Sequence, residues 1–337
     1  MPLGPMTTLR VGGPAARLVE CADTADLVDA VRAADATTEP ALVLGGGSNV
    51  VVSDDGFPGV VIRVLSRGRD VERDGDAVLL TVQAGENWDD VVTYCVDEGF
   101  AGLEFLSGVP GLAGATPIQN VGAYGQEVAE TIASVHVFDR HSGETVDLSP
   151  ADCAFTYRNS VFKGDDRYVV LAVTFRLERS RLSAPVKYAE LAGSLDVDQG
   201  QRVPLTVARE AVLGLRRRKG MVLEEDDHDT WSVGSFFTNP IVDSQTAAKL
   251  PAELPRWPMP DGQLKLSAAW LIEHTGFGKG YGSGFARISG KHTLALTNRG
   301  GATATEVLNL AREVRDGVRD AYGVELRNEP VLIGEKL

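Results

Sequence analysis

The sequence predicts an α+β fold in two or three domains, and three observations predict it. A chain of 337 residues exceeds a typical single compact unit. Helix-period and strand-period stretches alternate through its first third, give way to strands from 134 to 177, and mix again towards the end. No internal repeat, low-complexity linker or apolar run of membrane-spanning length interrupts that pattern.

The elements follow in order. "DTADLVDAVRAAD" places apolar residues at 27, 28, 31 and 34, which is one helical face, with Asp23 or Thr24 as its cap. "ALVLGGGSNVVV" and "GVVIRV" are short apolar runs around a glycine hinge and read as strands. "ENWDDVVTYCVDEG" sets Trp88, Val91, Val92 and Cys95 on one face, capped by Asn87 and stopped by Gly99. "SVHVFDR" and "YVVLAVTFRL" are strands, and "LTVAREAVLGLRRRKG" is a helix for which Thr206 is the candidate cap. Arg209 at its third position spoils a capping box. "SAAWLIEHTG" runs from a Ser267 cap to a Gly276 stop. The last helix opens on a Thr303-to-Glu306 capping box, and its apolar face passes through Val307, Leu310, Ala311, Val314, Val318 and Tyr322.

Composition excludes some functions. With 33 basic against 47 acidic residues the net charge is −14, which argues against a duplex nucleic-acid partner. An anion site then needs local cations, and "LRRRKG" (Arg216, Arg217, Arg218, Lys219) supplies a run of them. It reads either as a helix end suited to positive charge or as a phosphate clamp. Cys21, Cys95 and Cys153 are widely scattered and read as buried small hydrophobes, not as a disulfide framework or metal ligands. The N-terminus lacks the charged leader and apolar core of a signal peptide, so a cytoplasmic location without membrane insertion is expected.

Two glycine-rich stretches carry the first chemical signal. In "LGGGSNVVV", Gly45, Gly46 and Gly47 are followed by β-branched residues, whereas a dinucleotide fingerprint opens a helix there. The stretch is either a tight hairpin or a nest of backbone N–H groups for an anion, with Ser48 and Asn49 adding side-chain donors. "EFLSGVPGLAGATPIQNVGAYGQEV" adds Gly108, Gly111, Gly114, Gly122 and Gly125 in one long loop. So much backbone without side chains suits close approach to a large flat ligand, and two such loops suit an extended nucleotide cofactor. The "SVGSFFTNP" segment presents Ser235 between glycine and two aromatic rings, outside any GxSxG elbow.

These two loops, with "YRNSVFKG", "GSFFTNPIV", "SAAWLIEHTGFGKG" and "LRNEPVLIG", occur in the order found in the UDP-N-acetylenolpyruvoylglucosamine reductase family, which the chain resembles over nearly its whole length. The resemblance implies an FAD-binding domain of the vanillyl-alcohol oxidase type, built of two α/β subdomains, plus a C-terminal α+β substrate-binding domain. On this chain those parts are residues 1–66 joined by the strand at 325–337, then 67–212, then 213–324. It implies non-covalent FAD, NADPH as reductant, a monomer and one small-molecule substrate, UDP-N-acetylglucosamine enolpyruvate. No histidine precedes His136, so a histidyl flavin link in the first loops is impossible.

Residue by residue, the resemblance implies that Arg158 meets the carboxylate of a developing enolate, as a planar guanidinium does in a fork. Ser235 matches the proton donor and Glu329 the carboxylate that orients or polarises the enolate. Gly45, Gly46, Gly47, Ser48, Asn49, Gly111, Gly114, Ala115, Thr116 and Gly122 match the cofactor loops. Tyr157, Tyr188, Lys219 and Asn239 match the substrate side, with Lys219 near a diphosphate and Tyr188 on a covering loop. No metal is implied.

The chain departs from that pattern at Gly46, where some members carry Glu, and at Thr238, where Lys is common. The stretch "MVLEEDDHDTW" is more acidic than expected beside a diphosphate, so its carboxylates are expected to point outward. Two rivals remain open on sequence. One is a different flavin oxidase or dehydrogenase on the same fold, and the other a non-catalytic nucleotide-sugar binding protein.

Overall fold

The computed structural model describes residues 1–337. They form two compact units. The first comprises Met1, Ala15–Gly47 and Pro58–Val222, and the second comprises Pro2–Pro14, Ser48–Phe57 and Leu223–Leu337. These divisions cut the chain at points other than 66, 212 and 324. Two N-terminal stretches go with the C-terminal unit, and residues 213–222 stay with the first.

The first unit holds three sheets, one of them the two-stranded pair Gly122–Ala123 and Gln126–Glu127, and four helices, α1 (Thr24–Thr37), α2 (Trp88–Glu98), α3 (Ala189–Leu195) and α4 (Leu205–Arg218). Ala15–Cys21, Phe57–Val64 and Ala41–Leu44 lie in that order in a three-stranded sheet. The helix α1 packs Leu27, Val28, Val31 and Ala34 into the core beneath it, and Asp23 caps it by accepting from the Asp26 N–H. The larger sheet runs Glu144–Leu148, Ile132–Asp139, Tyr168–Arg179, Ala77–Gln83, Arg69–Asp74, with Phe100–Ala101 pairing off the central strand. All of its pairs are antiparallel. Trp88, Val91, Val92 and Cys95 of α2 pack on it, and Asn87 and Gly99 terminate that helix as the sequence predicts.

Two expectations are corrected here. Thr206 does not cap α4, because the helix starts one residue earlier, after Pro204. The first N–H of α4, on Leu205, donates instead to the Arg181 carbonyl at 2.9 Å. Nor is "LGGGSNVVV" a hairpin. Ala41–Leu44 pairs in parallel with Phe57–Val64, whereas Val50–Val52 pairs in parallel with Val331–Ile333. The glycines therefore separate two strands that leave for different sheets.

The second unit is built on α5 (Ser244–Ala248), α6 (Ala268–Glu273) and α7 (Ala304–Tyr322) with short two- and three-stranded sheets. The helix α7 carries the expected Thr303–Glu306 capping box. It buries Val307, Leu310, Ala311, Val314 and Val318 against Phe236, Phe237, Leu271, Ile288 and Leu296. Asp54 ties the Ser48–Phe57 stretch to the same helix, accepting the N–H of Ala304 at 2.7 Å and of Thr305 at 2.9 Å. Ser267 caps α6, which ends at Glu273, before Gly276. No helix is long and apolar enough to cross a membrane. All three cysteines are free and buried, and burial pushes the Cys95 thiol up to about 12.

Candidate functional site

The first glycine loop follows the strand Ala41–Leu44. Gly47 is buried at φ +61°, a conformation that glycine adopts without strain. The N–H groups of Gly46, Gly47 and Ser48 have no acceptor within the protein. Buried backbone donors are nearly always paired, so successive orphaned N–H groups at a turn fit an anion such as the phosphates of a nucleotide. The second loop closes on the first. A Cβ placed on Gly46 would lie 2.8 Å from the Gly111 Cα, and one on Gly45 would contact Leu112 at 3.7 Å.

The second loop is itself held from below. The N–H of Trp88 donates to the Gly111 carbonyl (3.1 Å), and Ala113 and Gly114 donate to the carbonyls of Glu86 and Ala84 (2.9 Å each). A Cβ on Gly114 would meet the Ala84 Cβ at 2.4 Å, so this glycine serves the seating of loop on strand. The Ala115 and Thr116 N–H groups are used within the turn, by Leu112 and Ala113. The N–H groups of Gly114, Ala115 and Thr116 are thus all engaged within the protein, and the open donors sit on the first loop. Beneath them Asp89 accepts the Gly108 N–H at 2.6 Å and a two-pronged guanidinium from Arg209 at 2.7 and 2.8 Å. Arg209, which in the sequence only spoils a capping box, thus fastens α4 to α2.

Arg158 occupies the tight turn between Thr156 and Asn159, with φ +54°. The turn aims its side chain back over the chain. Its Nη2 donates to the Gly122 carbonyl at 2.6 Å, and its guanidinium carbon lies 5.4 Å from the Tyr157 ring centre. A Cβ on Gly122 would come within 2.9 Å of Arg158 Nη1, so that glycine leaves room for a guanidinium.

Further along the same unit, Tyr188 is the residue before α3 and 44% exposed. Its ring meets the edge of Tyr124 at 5.6 Å. Lys219, at the C-terminal cap of α4, holds its ammonium 5.8 Å from the Tyr124 ring centre and pairs with Glu190 at 2.6 Å. Arg216 lies behind them, its Nη2 on the Met221 carbonyl at 2.8 Å and its buried Nε without a partner. Burial lowers the Arg216 guanidinium from its ordinary value, while Tyr124 and Asp89 oppose that. Neither Tyr124 nor Glu190 was legible as a site residue; only their contacts reveal them.

In the second unit the "GSFFTNP" segment runs antiparallel to the "RNEP" segment. Phe237 bridges Asn328, the Glu329 N–H donates to the Phe236 carbonyl (2.8 Å), and the Thr238 N–H donates to the Arg327 carbonyl (3.0 Å). On its other side, Phe236 donates its N–H to Leu294 (2.7 Å). The two buried rings of Phe236 and Phe237 anchor the segment in the core, and Ser235, half-buried, sits at its head. Asn49 stands beside this pair, its carbonyl accepting from the Val331 N–H at 2.9 Å and its Nδ2 donating to the Glu329 carbonyl at 3.4 Å. Asn239 places its Oδ1 on the Ala268 N–H (3.0 Å), which commits that oxygen to the start of α6 and leaves the amide NH2. The structure thus gathers Ser235, Glu329 and Asn49 within the second unit; Arg158, Tyr157, Tyr188 and Lys219 belong to the first.

The acidic stretch corrects another expectation. Glu224, Glu225 and Asp226 are exposed, but Asp227 pairs with Lys291, and the buried Asp229 accepts from Arg299 at 2.6 Å and from the Gly290 N–H at 3.0 Å. Two of its carboxylates turn inward because cations of the same unit neutralise them.

Comparison with known proteins places this arrangement. Residues 15–149 match a family model described as an FAD binding domain, so the chain is a flavin-dependent oxidoreductase in its first part. Residues 226–333 match the model described as UDP-N-acetylenolpyruvoylglucosamine reductase, C-terminal domain. The UDP-N-acetylenolpyruvoylglucosamine reductase of Streptomyces coelicolor is 56% identical over 348 residues, covering 100% of this chain and 90% of that protein. That of Thermobifida fusca is 55% identical, covering 100% and 98%. The crystal structure of the reductase from Thermus caldophilus superposes with a TM-score of 0.66 at 28% identity, over 99% of this chain and 97% of that one. The chain belongs to the UDP-N-acetylenolpyruvoylglucosamine reductase family.

Proposed function

We propose that the protein reduces UDP-N-acetylglucosamine enolpyruvate to UDP-N-acetylmuramate with NADPH as the electron source, in the cytoplasm and as a monomer, during the synthesis of peptidoglycan precursors. The pairing of the Ser235 segment with the Glu329 segment carries this reading, because it holds the backbones of the two residues close together within one unit. FAD, when bound, supplies a hydride to the methylene carbon of the enol ether. The open N–H groups at Gly46, Gly47 and Ser48 suit its phosphates, and Gly45, Asn49, Gly111, Gly114, Ala115, Thr116 and Gly122 are the further residues we assign to its binding.

Charge then develops at the adjacent carbon and its carboxylate. Arg158 meets that carboxylate in a fork, its orientation already fixed by the Gly122 carbonyl and the Tyr157 ring. Ser235 gives its hydroxyl proton to the adjacent carbon, and Glu329 orients and polarises that transfer. A serine hydroxyl is a weak acid, so the basicity of the enolate drives the step. Lys219 takes the diphosphate, Tyr188 covers the nucleotide, and Tyr157 and the free amide of Asn239 line the sugar side. No nucleic acid and no inserted membrane segment enter this reading.

The test is an anaerobic visible spectrum of the purified protein, taken before and after NADPH and again after the enolpyruvyl sugar nucleotide. A yellow protein that bleaches and regains colour only with the sugar nucleotide is expected. Bleaching without recovery would point to another flavin oxidoreductase, the one rival that the FAD-binding domain leaves open.

A further inference from the structure

The ion pair between Lys219 and Glu190 is placed oddly for a structural strut. It is short at 2.6 Å, yet its side chains are 31% and 40% exposed. A pair so open to water contributes about 0–1 kcal/mol. The helix α3 is already held without it. Leu191 and Ala192 are buried in the core beneath, Lys187 pairs with Glu130 at 3.2 Å, and Gln199 Nε2 donates to the Lys187 carbonyl at 2.6 Å. Tyr188, two residues before Glu190, adds its ring contact with Tyr124.

Lys219 is likewise held without Glu190. Its ammonium faces the Tyr124 ring, whose quadrupole attracts a cation at that range. Three arginines precede it in the chain, so positive charge gathers at the α4 terminus. Glu190 lies in the first turn of α3, where a carboxylate is stabilised by the helix terminus, and it can swing to solvent without leaving a buried group unpaired.

We infer that Glu190 is a built-in counterion that occupies Lys219 in the free protein and is displaced by the diphosphate of a nucleotide ligand, so that it lowers affinity for that ligand by competing for the same ammonium. The inference rests on the proposed role of Lys219 as a diphosphate partner. It assigns Glu190 an opposing part at that position, and the competition selects for ligands whose two phosphates outbid a single carboxylate.

The test is calorimetric titration of UDP into the FAD-loaded protein at low salt, with wild type, Glu190→Gln, Lys219→Met and the double variant. Glu190→Gln is expected to tighten UDP by about three-fold, the scale of one exposed ion pair, and the gain should shrink at high salt. Lys219→Met should weaken UDP, and Glu190→Gln should add nothing on that background. If Lys219→Met weakens UDP but Glu190→Gln leaves it unchanged or weaker, the counterion role is overturned and the Lys219 role stands. If Lys219→Met has no effect, both fall.

Discussion

The backbone N–H of Glu329 donates to the carbonyl of Phe236 at 2.8 Å, one residue along the chain from Ser235. The bond makes the position of the serine a property of a ladder and not of a free loop. Buried Phe236 and Phe237 fix that ladder from beneath, so the backbone that carries the serine is held in place. In the proposed role of Ser235 as proton donor, a backbone held in this way is preorganised before the substrate arrives.

Ser235→Ala is therefore expected to separate the two halves of the reaction. Reduction of the flavin by NADPH should stay near wild type. Reoxidation by the enolpyruvyl sugar nucleotide should slow by about 10²–10⁴-fold, the usual range for a lost general acid. Anaerobic stopped-flow absorbance resolves both halves, and equal losses in each would remove Ser235 from the proton-transfer role.

Arg158 gives a second, geometric prediction. Arg158→Lys keeps the charge but not the fork, and its turnover should fall well below wild type. Gly122→Ala removes no proposed catalytic residue yet puts a Cβ 2.9 Å from Arg158 Nη1 and 2.8 Å from Glu127 Cγ. It should also lower turnover, by displacing the guanidinium, while thermal stability shows whether the fold itself has suffered. Steady-state kinetics of the two variants, side by side, check this; unchanged turnover in both would dissociate Arg158 from the chemistry.

The glycine loops predict an effect on cofactor retention. In Gly114→Ala the new Cβ would lie 2.4 Å from Ala84 Cβ and 2.8 Å from Ala84 Cα, so the second loop must lift from its strand. Overpacking of this kind costs about 1–3 kcal/mol. FAD affinity, measured by flavin fluorescence on titrating stripped protein, should drop by about tenfold or more. Ala84→Gly in the same chain should restore part of it. Wild-type affinity in Gly114→Ala would show that the seating of this loop is irrelevant to the cofactor.

Much of this was legible in the sequence because local signals decide it. Asp23, Asn87, Ser267 and Thr303 cap the helices that their spacing announced, since a short polar side chain before an apolar period satisfies orphaned N–H groups wherever it occurs. The glycine loops announced a ligand, but not that Gly46 and Gly114 are needed against Gly111 and Ala84, because that requirement arises from segments far apart in the chain. The same holds for Val50–Val52, whose partner strand lies nearly 300 residues away, and for Arg209, whose partner Asp89 no periodicity could supply. Asp227 and Asp229 point inward for an equally non-local reason, the cations Lys291 and Arg299.

That Asp89–Arg209 fork also sets an acid limit on the first unit. Burial pushes the Asp89 carboxyl up, but the guanidinium of Arg209 and the Gly108 N–H outweigh it and hold the carboxyl below its ordinary value. A carboxyl lowered in the folded state contributes stability that is fully present above its unfolded value, about 3.9, and is lost as pH falls through the lower, folded one. Asp89→Asn should accordingly destabilise the protein by about 2 kcal/mol at neutral pH, the scale of charge-assisted hydrogen bonds. The gap between wild type and variant should close as pH is lowered below 4, because the wild-type carboxyl then becomes neutral as well. Urea unfolding of both proteins from pH 7 to pH 3 measures the gap directly. A gap that stays constant across that range would mean that the shape of the Asp89 side chain, and not its charge, fastens α4 to α2.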